Sequence, residues 1–144
     1  MENVIRQLGV FEGAWRTKGT GRQEPVITAE GIDTYQWFPG GHFMEHRVDV
    51  KMDGERMQAL EMIGYDAGKQ LFFLQFWNNT GQMSSMHGKM ENGSWTFFSD
   101  TERGTFTFSE DGKQLTGTWE TSRDGGKTWQ PWMDMVLTKE ENTP

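Results

Sequence analysis

The chain has 144 residues, 34% of them hydrophobic, with seven Trp, ten Phe, ten Met and no Cys. That length makes one domain able to bury roughly two-thirds of its unfolded surface, and its core must be assembled from a few large side chains, with Met as adaptable filling. A net charge of −7 and a pI near 4.9 argue against nucleic acid or an anionic membrane as partner, since both reward clustered Lys and Arg; the absence of cysteine rules out disulfides and thiolate chemistry.

The opening residues, Met1 to Arg6, lack the apolar run of a signal peptide, and no stretch is long and apolar enough to span a bilayer. A cytoplasmic protein is the expectation. Residues 3–11 carry a short apolar stripe, Val4, Ile5, Leu8 and Phe11, that predicts one or two helical turns. After Gly13 everything reads as strand and turn. Pro39-Gly40, Asp53-Gly54, Asn92-Gly93, Asp111-Gly112 and Asp124-Gly125 each separate runs rich in Thr, Val, Phe and Trp, the pattern of consecutive β-hairpins. A meander of this length without covering helices must close or leave two raw edges. The predicted fold is therefore all-β, a single closed antiparallel up-and-down barrel of about ten strands over residues 1–144, with room for a small molecule.

Alternation is cleanest over residues 105–120, where Phe106, Phe108, Leu115, Gly117 and Trp119 share one face and a row of threonines the other. The segment Gln70 to Trp77 is apolar on both faces, so something should cover it outside as well as inside. Either the N-terminal helix lies over it or a second copy does, and a homodimer is the preferred reading.

Hairpin connections fix which residues face each other. Across Asp53-Gly54, His46 falls opposite Glu61, Val48 opposite Ala59 and Val50 opposite Met57. A turn over 66–69 sets Glu61 opposite Leu74 and Ile63 opposite Phe72. A four-residue connection over 78–81 sets Leu74 opposite Ser85 and Phe72 opposite His87. The same reasoning across 38–41 sets Asp33 opposite His46 and Tyr35 opposite Met44. Glu45, Arg47, Asp49, Lys51 and Arg56 fall on the other face, which belongs in water. On this reading the interior holds all three histidines, His42, His46 and His87, with one carboxylate directly across from His46.

A buried imidazole and carboxylate are costly unless paired, so His46 and Glu61 mark either a satisfied structural pair, a ligand site or an acid–base centre. The string His42-Phe43-Met44-Glu45-His46 matches the H-x-x-E-H of inverted zinc peptidases. That motif works on a helix. On a strand its two histidines lie about 13 Å apart with Glu45 on the opposite face, so one Zn²⁺ cannot bridge them. Ser122-Arg123-Asp124-Gly125-Gly126-Lys127-Thr128-Trp129 has the form of an Asp-box, in which Asp caps a turn and Trp packs beneath it; here it predicts structure, not glycoside chemistry. Phosphate-binding glycine loops and nucleophile elbows are missing.

Gly13-Ala14-Trp15, entered from a short helical segment, resembles the G-x-W opening of lipocalins, where the Trp plugs one barrel end beneath a basic residue of the last strand; Lys139 matches that place. Four further pieces, Trp37-Phe38-Pro39-Gly40-Gly41-His42-Phe43, Gly64-Tyr65-Asp66, Ser84-Ser85 with Gly88, and the Asp-box, together resemble a bacterial calycin-like family, domain of unknown function 1579. The resemblance spans nearly the whole chain. It implies a closed barrel of about ten strands with an internal cavity, and it brings no catalytic residues to transfer. Related heme-binding barrels ligate iron through a late histidine, and this chain has none after His87, so no cofactor is expected.

These readings converge on a barrel that binds a small hydrophobic molecule. Trp15, Phe72, Leu74, Phe76 and Trp119 are expected to line or close the cavity, with His46, Glu61, Ser85, His87 and Tyr35 at its polar end. Two alternatives stay open. One is a cofactor-independent isomerase, cyclase or hydratase with His46 as acid–base and Glu61 orienting it. The other is a structural protein whose interior its own aromatics fill.

Overall fold

A computed structural model describes residues 2–141. A single α-helical turn at Glu2–Ile5 runs into a 3₁₀ segment at Arg6–Phe11. Ten strands follow: β1 (Gly13–Gly21), β2 (Thr28–Trp37), β3 (Met44–Met52), β4 (Glu55–Asp66), β5 (Leu71–Asn78), β6 (Met83–Glu91), β7 (Ser94–Phe98), β8 (Glu102–Phe108), β9 (Gln114–Thr121) and β10 (Gln130–Lys139). Each is antiparallel to its neighbours in sequence, and β1 pairs with β10 to close the barrel. Closure leaves no unpaired edge.

The turn residues act as their chemistry requires. Asp53-Gly54 and Asn92-Gly93 have positive φ at both positions (53° and 85°, 52° and 81°), the twist that suits a two-residue hairpin. Asp124 of the Asp-box accepts hydrogen bonds from the Lys127 and Thr128 backbone N–H groups at 3.0 and 2.9 Å and from the Thr128 hydroxyl at 2.6 Å. The Thr128 hydroxyl and N–H, the Ser122 hydroxyl and the Lys127 N–H together pull its carboxyl down to about 2. Trp129 packs under the Arg103 guanidinium, 4.4 Å from its ring. The box is structural.

One end of the barrel is plugged. Trp15 is fully buried and donates its indole N–H to the Phe11 carbonyl at 2.7 Å, with Lys139 Nζ 5.6 Å from its ring. Leu8 and Phe11 of the N-terminal segment enter the same cluster, Phe11 packing against Tyr35, Trp95 and Phe108 at 5.1–5.2 Å between ring centroids. The helical segment therefore stoppers the barrel with its apolar stripe and does not lie over the outer face of β5. That face is covered in part by the chain's own aromatics: Gly64 has no side chain, and the rings of Phe73 and Phe43 occupy the space a Cβ there would need.

Register decides the rest. His46↔Glu61, Val48↔Ala59 and Val50↔Met57 pair as expected, as does Phe108↔Leu115. Two connections are displaced by two residues. The Trp37–Met44 connection centres on residues 39–42, pairing Tyr35 with His46 and Asp33 with Val48. The β4–β5 connection spans 67–70, with Gln70 at a φ of 56°, pairing Glu61 with Phe76 and Ile63 with Leu74. A shift of two keeps every side chain on its face. The β5–β6 connection is different. Asn78 pairs with Gln82 around a three-residue loop closed by Gly81 at φ 86°, a turn followed by a left-handed residue. Phe72 then meets Gly88, Leu74 meets Met86 and Phe76 meets Ser84. One residue of slip turns the whole of β6 over. Ser85 and His87 lie outside, opposite Gln75 and Phe73, and His42 lies exposed in its turn. Of the three histidines, His46 alone is interior.

Candidate functional site

The inner wall formed by β1–β4 carries a buried polar network in otherwise apolar surroundings. His46 Nδ1 stands 2.9 Å from Glu61 Oε1 across the β3–β4 pair, and Nε2 stands 2.7 Å from Asp33 Oδ2. Asp33 is not directly opposite His46. It reaches it diagonally, because Tyr35 holds the opposite position and lays its ring flat on the imidazole, 4.0 Å between centroids and 8° between planes. The Thr17 hydroxyl of β1 donates to the other Asp33 oxygen at 2.5 Å. Gly31 makes the close packing possible, since a Cβ there would stand 2.2 Å from the Asp49 carbonyl oxygen. Asp33 and His46 are 7% and 9% exposed, which places the network inside the wall and not on the surface.

Burial disfavours the charged imidazolium. The hydrogen bonds to Asp33 and then Glu61, with their two negative charges, outweigh it and raise His46 from 6.5 to about 9. Tyr35 is pushed well above the ordinary phenol value, first by burial and then by the charges of Asp33 and Glu61. At neutral pH His46 is a proton-bearing bridge between two carboxyl groups, with no ring nitrogen free to accept a proton or bind a metal. Among the described residues no group of three His, Asp or Glu is arranged to hold a metal ion.

This network faces a cavity of about 410 Å³ that runs from Phe11 of the plug to the opposite rim, where exposed Ser84 and Thr101 line it. Its walls are mainly apolar, with aromatic and methionine side chains such as Phe76, Phe106, Trp119 and Met133 beside aliphatic ones. Of the residues expected at the site, His46, Glu61, Tyr35, Leu74, Phe76 and Trp119 line this cavity. Phe72 is buried in the plug-end core against Trp95 instead, as is Trp15. Ser85 touches the rim, but its hydroxyl donates to Gln75 on the outside at 2.9 Å. His87 is removed from the site by the turned-over β6 and lies near Phe98, 6.1 Å between rings.

Two groups at the rim were not foreseen. Glu102 lies beside Trp132, and burial raises its carboxyl above the ordinary value while the Trp132 N–H lowers it. That indole nitrogen is buried but does not meet hydrogen-bond geometry with any acceptor among the described residues. Thr17 was the other omission. It alternates with Trp15 on β1 and so shares its inward face, a signal available from spacing alone.

Ten antiparallel strands closed into a barrel, plugged at one end around a hollow, make a calycin-like fold. Residues 5–139 match the model of the family described as protein of unknown function DUF1579, and the chain belongs to that family. No curated protein matches the sequence. Among solved structures the chain is similar to Rv2717c from M. tuberculosis, with TM-score 0.65, 12% identity and coverage of 95% of this chain and 98% of that one. It is similar to the S-type phycobiliprotein lyase CPES from Guillardia theta, with TM-score 0.69, 8% identity and coverage of 97% and 94%. A de novo designed fluorescence-activating β-barrel aligns with TM-score 0.51, 13% identity and coverage of 92% and 95%. At these identities the likeness is one of fold.

Proposed function

We propose that this protein is a container for a small, largely apolar molecule, one polar end of which is held at Glu61 within the Asp33–His46–Glu61 network. The observation that carries this reading is the cavity itself. A hollow of about 410 Å³ falls within the range of small-molecule sites, and a buried polar network set among apolar surfaces is how such sites orient a ligand. A barrel filled by its own aromatics would have left no such space. The acid–base enzyme meets the requirement that His46 and Glu61 touch and face the cavity, but with both ring nitrogens engaged at 2.7 and 2.9 Å His46 has no lone pair with which to take a substrate proton. The geometry therefore favours holding over turnover.

A homodimer contact on the outer face of β5 and β6, where Trp77 and Met83 pair and are 41% and 71% exposed, belongs to the same proposal, as does a cytoplasmic location. Native mass spectrometry of protein purified from its own host tests the container directly. A retained small molecule is the expected result; a protein that emerges empty and binds no apolar probe overturns it.

A further inference from the structure

The charge of the cavity is set by counting protons. His46 is hydrogen-bonded to a carboxyl oxygen at each ring nitrogen, and each of those contacts needs one proton between its two heavy atoms. Two ionised carboxylates and a neutral imidazole sum to −2 with a single proton on the ring. The second bridging proton brings the sum to −1, whether it resides on nitrogen or on oxygen. The Thr17 hydroxyl and the Tyr35 phenol add hydrogen-bonding capacity but no charge. Glu61 uses Oε1 in this network; Oε2 is not among the buried unpartnered atoms, so it stands open to the cavity.

Nothing on the walls offsets that charge. The titratable side chains lining the cavity are Asp33, Tyr35, His46, Glu61 and Glu102, with no Lys or Arg among them. A net buried charge is costly unless a counter-charge meets it. Phe76, Phe106 and Trp119 line the same cavity, and aromatic rings attract cations to their faces. An anionic ligand would meet a wall of net negative charge whose single imidazolium already has both N–H groups engaged.

We infer that the ligand is a cationic amphiphile, an apolar body bearing a protonated amine that lodges against the free oxygen of Glu61 and is flanked by the aromatic walls. The inference rests on the container reading and narrows it to a ligand class.

Intrinsic Trp fluorescence, to which Trp119 and Trp132 at the cavity contribute, reports binding of a matched set at pH 7: a primary alkylamine, the alcohol and the carboxylate of one chain length, each below its micellar concentration. The amine is expected to bind at least about tenfold more tightly than the carboxylate, as a charge-assisted hydrogen bond implies. Glu61→Gln should erase that preference, lowering the amine's affinity toward that of the alcohol. The wild-type ranking stands by itself should the variant fold poorly. If all three bind equally, or the carboxylate binds best, the cationic assignment is overturned and the container survives. If none binds, the container itself falls.

Discussion

His46 holds its proton to about pH 9 in the folded barrel but only to about 6.5 when free. The folded state therefore binds the extra proton across that window. Its stabilising contribution is complete below pH 6.5 and is lost as pH rises through 9. At about 1.4 kcal/mol per pH unit the loss is on the order of 3 kcal/mol. Urea unfolding midpoints at pH 6 and pH 9.5 check this, and a midpoint that holds steady or rises would contradict it. Tyr35, raised well above the ordinary phenol value, titrates above this window. The same network makes a second prediction. Removing either partner leaves a buried group unpaired, so His46→Ala and Glu61→Ala should each destabilise strongly, and the double variant by less than their sum, with a coupling of about 1 kcal/mol or more. Additive losses would place the two side chains out of contact.

At the scale of elements, the N-terminal segment is too short to be stable by itself and is held by what it buries. Leu8 and Phe11 are 0% and 2% exposed. Phe11→Ala is expected to cost about 3–5 kcal/mol in chemical denaturation, because the ring is surrounded and the hole cannot collapse onto rigid strands. A loss below about 1 kcal/mol would mean that the plug does not seal the barrel. The Asp-box turn works through hydrogen bonds to one carboxylate. Asp124→Ala should lower the melting temperature while leaving binding at the distant Glu61 unchanged, and altered ligand affinity would give the box a functional part it lacks here.

At the scale of the molecule, ring closure brings β1 and β10 together from opposite ends of the chain and encloses the hollow. It also leaves the Trp77–Met83 face outward. Sedimentation velocity should show a dimer that Met83→Lys converts to monomer without loss of secondary structure; a wild-type protein that stays monomeric at all concentrations would remove that interface. Much of this architecture was legible beforehand. The Asp-Gly and Asn-Gly dipeptides demand positive φ, and G-x-W with a late Lys announces the plug. Side-chain direction in a strand has period two, so the two connections placed two residues away left Asp33, Tyr35, Glu61 and Leu74 on their proper face. The error at Asn78 to Gly81 was a single residue, and correcting it turns Ser85 and His87 to the outer face, leaving Ser85 at the rim and His87 off the site.

The chain order therefore determined the barrel, its plug and the inward aim of His46 and Glu61, because those follow from local turn chemistry and from sorting apolar against charged positions. Only the closed structure decided that Asp33 reaches His46 on a diagonal beneath Tyr35, that Thr17 supports it from β1, and that Glu102 and Trp132 share the rim. Those meetings depend on strand stagger and on the curvature of a closed sheet, quantities that pairwise counting across one hairpin does not contain.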